Sequence, residues 1–345
     1  MGGTARRSAA LAASLLCVLG GGALPAGSLA SAAEHDTDRI SRARVLAAPS
    51  ARKRAPRTTA RWSGSVNTSD RAAVNVAYLR SFAPGLRAPT GWTGNDSRCV
   101  AGSQSSGSRT YTLHALNYAR SLAGLAPVTF SSTLNARSQQ TALIMSANRS
   151  LSHRPPSSWR CWTSAGAANA GRANLALSYP SITSAGLVRQ YLEDAGSSNR
   201  AAGHRRWLLN PFATQMGSGA TSTANAITVV GPTSTSRPNP SLVAWPTAGW
   251  FPSTLEPAGR WSLSLGNRAL SLRWATVRVW RNGTLLRVVK NPVVDGYAQP
   301  TLVWQMPTNL ARSGTFKVEV RGIRRSSSGK RCTRSYYVRM FAPGS

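Results

Sequence analysis

Apolar residues along this chain keep three different rhythms, and each predicts a different kind of structure. The run 9–19 is apolar almost throughout; Arg6 and Arg7 precede it, and a small-residue stretch ending Ala30-Ser31-Ala32 follows. That layout predicts a cleaved export signal over residues 1–32, because its apolar core is shorter than the roughly 20 residues that span a bilayer. Residues 33–69 have no rhythm. Between 33 and 61, eight Lys+Arg and three acidic residues lie among alanines, Pro49 and Pro56. Such a stretch buries too little apolar surface to fold, which predicts a disordered basic tail.

From residue 70 to 231 the apolar positions recur at helical spacing, and this stretch is read as one domain. A short amphipathic helix is predicted over 70–87, with Val74, Tyr78 and Leu79 on one side. Leu113, Leu116 and Leu122 mark a second helix that stops at Gly124. A third begins after Ser131 or Ser132 as N-cap and runs to about residue 149, with Leu134, Ala142 and Met145 inward. Over 185–195, Leu187 pairs with Tyr191 and Val188 with Leu192, and Gly196 closes the helix. A last helix is predicted over 199–209, stopped by Pro211. Short strands are expected at 174–177 and 226–230.

After Pro240 the period becomes two. Trp261-Ser262-Leu263-Ser264-Leu265, Val277-Arg278-Val279-Trp280 and Phe316-Lys317-Val318-Glu319-Val320 all alternate, and Asn282-Gly283 is a strong hairpin turn signal. Residues 241–345 therefore read as an all-β sandwich, immunoglobulin-like in the loose sense. Its six tryptophans (Trp245, Trp250, Trp261, Trp274, Trp280, Trp304) suit core or inter-domain packing better than a sugar-stacking face. The fold class that results is α+β, with the sandwich following the helical domain.

Charge changes this picture. The formal net charge is +32, from 42 Lys+Arg against 10 Asp+Glu, with lysine only at Lys53, Lys290, Lys317 and Lys330. Arginine on this scale either attracts polyanions or keeps the surface soluble. For an exported chain the polyanions at hand are anionic lipids, wall polymers and acidic polysaccharides; nucleic acid is not expected as the physiological partner. Three cysteines survive cleavage of the signal: Cys99, Cys161 and Cys332. Of the three pairings, Cys99 with Cys161 is favoured, because both lie in one domain. No later segment is apolar enough for a transmembrane span. GxSxG, P-loop, HExxH and CxxC signatures are absent, and Gly217-Ser218-Gly219 is too short for a phosphate loop.

One constellation remains, and it rests on scarcity. Between Arg98 and Leu255 the acidic residues are Glu193 and Asp194 alone, beside thirteen arginines. Both are expected in the last turn of their helix, where the macrodipole disfavours negative charge, so a partner must hold them. A salt bridge to Arg189 or Arg200 is the plain explanation. The same stretch carries His114, His153 and His204, and two histidines with a carboxylate form a recognised zinc arrangement.

The motifs, in order, resemble those of the CAP superfamily (cysteine-rich secretory, antigen 5, pathogenesis-related 1), in its bacterial secreted form. LNYARSLAGLAPV from Leu116, LSHRP from Leu151, NLA from Asn174, QYLED from Gln190 and GHRRWLLNP from Gly203 carry the likeness, over roughly 110–231. It implies an α/β/α sandwich and extracellular life. By this likeness His153, Glu193 and His204 correspond to cavity residues able to hold a metal, with Asn174 and Asp194 also in the cavity. Ala173 stands where the family has a glutamate before the asparagine, so the cavity has one carboxylate fewer unless Asp194 substitutes. The expectation is a secreted, extracellular binding module for lipid or anionic cell-wall components, leaning away from catalysis. The alternative is a metal-assisted hydrolase in which zinc on His153 and His204 works with Glu193.

Overall fold

The computed structural model describes residues 65–237, 240–266 and 269–344. The expected export signal, and the basic tail as far as residue 64, lie outside the described residues.

The first part of the chain runs α1 (Arg71–Ser81), α2 (Ser106–Leu122), β1 (Thr129–Phe130), α3 (Ser132–Asn148), α4 (Ser164–Ala170), β2 (Ala173–Leu177), α5 (Gly186–Glu193), α6 (Gly203–Leu208), β3 (Gln215–Ala220) and β4 (Ala224–Thr228). Local chemistry sets these ends. The Asp70 carboxylate accepts from the backbone N–H of Ala72 and Ala73, and the Ser105 hydroxyl accepts from that of Ser108, so the orphan donors at two helix starts are satisfied. Helix α1 buries Val74 and Tyr78 as its pattern predicts, but Leu79 faces solvent and the chain turns into a 3₁₀ segment at Ala83.

Strands β1 to β4 form one sheet in the order β1-β3-β4-β2; β1 runs parallel to β3 and the other pairs are antiparallel. Helix α3 covers one face, where Ala142, Ile144 and Met145 pack with Leu175, Ala224 and Ala226. Burying each of the larger aliphatic side chains contributes about 1.5–3 kcal/mol. Gly217 and Gly219 let β3 approach α3 closely: a Cβ on either would lie within 2.4 Å of Leu134 or Gln139 atoms. On the other face lie α2 and α5. The Ser218 hydroxyl donates to Gln104 Oε1, whose amide in turn donates to Ser108 of α2, while the Tyr191 hydroxyl of α5 donates to Asn225 Oδ1 of β4. The sheet is therefore the middle layer of an α/β/α sandwich.

The second part contains β5 (Leu242–Trp245), β6 (Gly249–Pro252), β7 (Arg260–Leu265), β8 (Leu270–Ser271), β9 (Thr276–Arg281), β10 (Thr284–Leu286), β11 (Val289–Lys290), β12 (Thr301–Gln305), β13 (Gly314–Arg325) and β14 (Arg331–Phe341). One sheet has the order β10-β9-β13-β14-β6, with β8 also on β13; the other is β11-β12-β7-β5. Trp245, Trp261 and Trp304 are buried with Phe251 and Phe316, whereas Trp274 is 67% exposed. Asn282 and Gly283 make the two-residue turn between β9 and β10, both at positive φ, with Arg281 paired to Thr284. No described helix is long and apolar enough to cross a membrane.

Candidate functional site

Helix α5 ends where Asp194 takes the left-handed conformation, φ 54°, and its backbone N–H caps onto the Gln190 carbonyl. The turn swings the Asp194 side chain out of the helix and toward α6. His204 Nδ1–H donates to Asp194 Oδ1 at 2.8 Å, and the Arg205 backbone N–H donates to Oδ2 at 3.2 Å. Asp194, 1% exposed, is thus held by an imidazole and an amide, not by Arg189 or Arg200. Asp194 also sits one step past the helix, as its cap, so the expected position in the last turn is corrected.

The remaining contacts of His204 fix its ring. Tyr191 stacks on it with centroids 5.5 Å apart, and the Asn174 amide donates to the His204 carbonyl at 3.0 Å. His153 follows α3 on a loop, and its Nδ1–H donates to the Ala170 carbonyl at 2.8 Å. Both histidines therefore engage an oxygen through Nδ1, which leaves each Nε2 as the free ring nitrogen. Burial holds the His153 pKa below the ordinary imidazole value; the Ala170 hydrogen bond works against this and the nearby His204 charge adds to it.

His153, Asn174 and His204 line one cleft of about 320 Å³. Arg154, Arg172 and Trp207 also border it, and Asp295 and Tyr297 close it from the β part of the chain. Glu193 is not among the lining residues: it is half-buried, and its backbone carbonyl accepts from Arg205 Nη2. The cleft thus brings together His153, His204 and Asn174, with Asp194 behind His204, and leaves Glu193 outside. Among the described residues no group of three or more His, Cys, Asp or Glu side chains is arranged to hold a metal.

Asp295 and Tyr297 were invisible to a reading of local motifs. They come from the loop before β12, some ninety residues beyond His204, and reach the cleft only because the two parts of the chain pack together. Arg205 and Arg206 contribute to that packing, alongside contacts such as Thr254 to the Tyr78 hydroxyl and Asn291 to the Arg200 carbonyl. Arg205 donates to the carbonyls of Leu192, Glu193 and Arg260 and to the Ser262 hydroxyl; Arg206 donates to the carbonyls of Val294 and Gln299 and lies over the Tyr297 ring. Burial pulls both guanidinium pKa values down to about 10. In the other direction Arg260 donates to the Asp194 carbonyl. Arg120 is likewise buried, donating to the carbonyls of Ala126, Leu208 and Asn210. Part of the arginine excess is therefore internal scaffolding and not surface charge.

Cys99 and Cys161 are bonded, with Cα atoms 4.9 Å apart, and Cys332 is a free, half-buried thiol. No curated protein matches the chain. Among solved structures, PcoC, a methionine-rich copper resistance protein from Escherichia coli, is similar at 16% identity over 28% of this chain and 93% of that one, with a TM-score of 0.21. Residues 113–231 match the Cysteine-rich secretory protein family, and this segment, with the three-layer fold and the two-histidine cleft, is a CAP domain.

Proposed function

We propose that this CAP-domain protein works at the cell exterior as a binding module, holding an anionic group of a cell-wall or membrane component in the cleft at His153 and His204. The observation that carries this reading is the make-up of the cleft wall. Arg154 and Arg172 are exposed there beside Asn174 and two imidazoles, and Trp207 and Tyr297 supply flat apolar faces. Cations with hydrogen-bond donors suit a phosphate or carboxylate. Turnover would require an acid and a base within reach of one substrate. Asp194 is buried and committed to His204 and Arg205, which leaves Asp295 as the carboxylate at the cleft edge.

Calorimetry with the full chain tests this. A poly(glycerol phosphate) and phosphatidylglycerol vesicles offer the same phosphate from a wall and from a membrane source. Binding of one of them that weakens in Arg154→Ala and His204→Ala, and as salt rises, supports the cleft. Binding of neither, or binding unchanged in both variants, removes this reading.

A second reading is favoured by the oxygen acceptors at both Nδ1 atoms. Metal-bound histidines are oriented in this way, so His153 and His204 would hold a zinc ion through Nε2 with Asp194 as the outer partner. Zinc there would polarise an oxygen of whatever ligand enters the cleft.

A further inference from the structure

We propose that the outer face of the sheet containing β9, β13 and β14 is a second binding site, for an acidic polysaccharide, separate from the histidine cleft. Strand pairing sets Lys317 opposite Trp280 on one side and Tyr337 on the other, so the three side chains form one row across the sheet. Together with Asn282, Gly283 and Thr315 they line a notch of about 310 Å³. The Lys317 ammonium lies 5.1 Å from the Trp280 ring centroid, a cation–π contact that fixes the charge beside the notch.

The row has the chemistry of a carboxylated sugar. Tyr337 is 51% exposed and offers its ring to the C–H face of a pyranose. Lys317 is placed for a carboxylate, and Asn282 and Thr315 for hydroxyls. Trp280 and Tyr337 stand two strand spacings apart, roughly 10 Å, a span that suits linked sugar units and not a lone one. The surrounding charge has the matching sign. Alternation along the strands puts Arg278, Arg321 and Arg339 on the same face as Lys317, against Glu319 alone, and Arg321 Nε is paired to Glu319 at 2.5 Å.

The other polyanions fit less well. A disulfide between Cys99 and Cys161 belongs to an oxidising compartment, where nucleic acid is not the ordinary partner. A membrane calls for protruding apolar side chains, whereas this face is a flat sheet whose aliphatic contribution is Leu285, opposite Trp280.

The test is calorimetry of the full chain with polygalacturonate, with dextran as the neutral control. Expected are binding to polygalacturonate and not to dextran, a loss of about tenfold in affinity in Tyr337→Ala and in Lys317→Gln, and nearly unchanged affinity in Lys330→Gln, which removes the same charge from an exposed position outside both the notch and the cleft. Thermal melts accompany each variant, and a loss of affinity counts only where the variant stays folded; Tyr337, at 51% exposure, is the position least tied to the core. No binding, or binding indifferent to both notch variants, overturns the proposal. So does tighter binding of a single-stranded oligonucleotide, or of anionic vesicles, that falls in the same two variants, because the face would then serve that other partner.

Discussion

His204 Nδ1 lies 2.8 Å from Asp194 Oδ1, and this bond ties the end of α5 to α6 across the back of the cleft. Asp194→Ala would strand both the imidazole N–H and the Arg205 N–H, and would put alanine at φ 54°. A buried unsatisfied donor costs about 1–3 kcal/mol and a left-handed alanine about 1–2 kcal/mol, so a loss of about 3 kcal/mol is expected. The Asp194→Asn variant keeps an acceptor, and asparagine tolerates left-handed backbone, so its loss should be about 1 kcal/mol. Urea unfolding of the two variants measures the difference, and equal losses would show that the acceptor does not matter.

Acid should destabilise the metal-free protein through His153. Its folded pKa lies below the ordinary imidazole value because of burial, and that of His114 is lowered in the same direction by burial and Arg80. The unfolded chain takes up these protons near pH 6.5, while the folded chain resists until lower pH. Stability is therefore full above about pH 6.5 and falls as pH drops from there toward the depressed folded pKa, by at most about 1.4 kcal/mol per pH unit for His153. Thermal melts in chelator from neutral to mildly acidic buffer should show this decline, and a His153→Gln variant should show a shallower one.

The disulfide closes a loop of sequence separation 62. On the chain-entropy model, opening it costs roughly 4 kcal/mol. Cys99→Ser should lower the denaturation midpoint accordingly, and Cys332→Ser should leave it nearly unchanged. A non-reduced peptide map is expected to join Cys99 to Cys161.

Arg205 should be intolerant even of lysine. Its guanidinium serves three carbonyls and the Ser262 hydroxyl in one buried position, and a lysine ammonium cannot reproduce that spread of donors. Arg205→Lys is expected to cost about 3 kcal/mol, since carbonyls left unpaired in a buried site each carry a penalty. Trypsin should then cut the variant between its two parts faster than the wild type; equal rates would mean that the arginine does not hold them together.

Much of the fold was legible because its signals are local. Asn282-Gly283 specifies its turn by backbone freedom alone, and Leu187, Val188, Tyr191 and Leu192 mark the buried stripe of α5. Helix α4 was not legible, because Ser164–Ala170 is alanine-rich with no large apolar residue to set a period. Strand β3 was hidden for a related reason: Gly217 and Gly219 admit α3, and a strand whose one face carries two glycines and a glutamine shows no apolar alternation. In the site, His153, His204 and Asn174 could be found from their motifs. The choice between Glu193 and Asp194 could not, since it depends on which residue leaves the helix with left-handed backbone.

That choice is what zinc titration should read out. His153 and His204 both line the cleft with Nδ1 held by oxygen, so the wild type is expected to take up zinc at micromolar concentration, and His153→Ala and His204→Ala should each lose it while remaining folded. Glu193 lies outside the cleft lining, so Glu193→Ala should bind as the wild type does. Asp194 acts through His204, and loss of such an outer partner weakens metal sites about 10–100-fold. Asp194→Asn should therefore fall between the wild type and the histidine variants, whereas a purely structural Asp194 would shift the melting temperature and leave the affinity alone. If Glu193→Ala loses zinc and Asp194→Asn does not, the carboxylate has been assigned to the wrong neighbour; if both histidine variants retain zinc, the metal does not bind in this cleft.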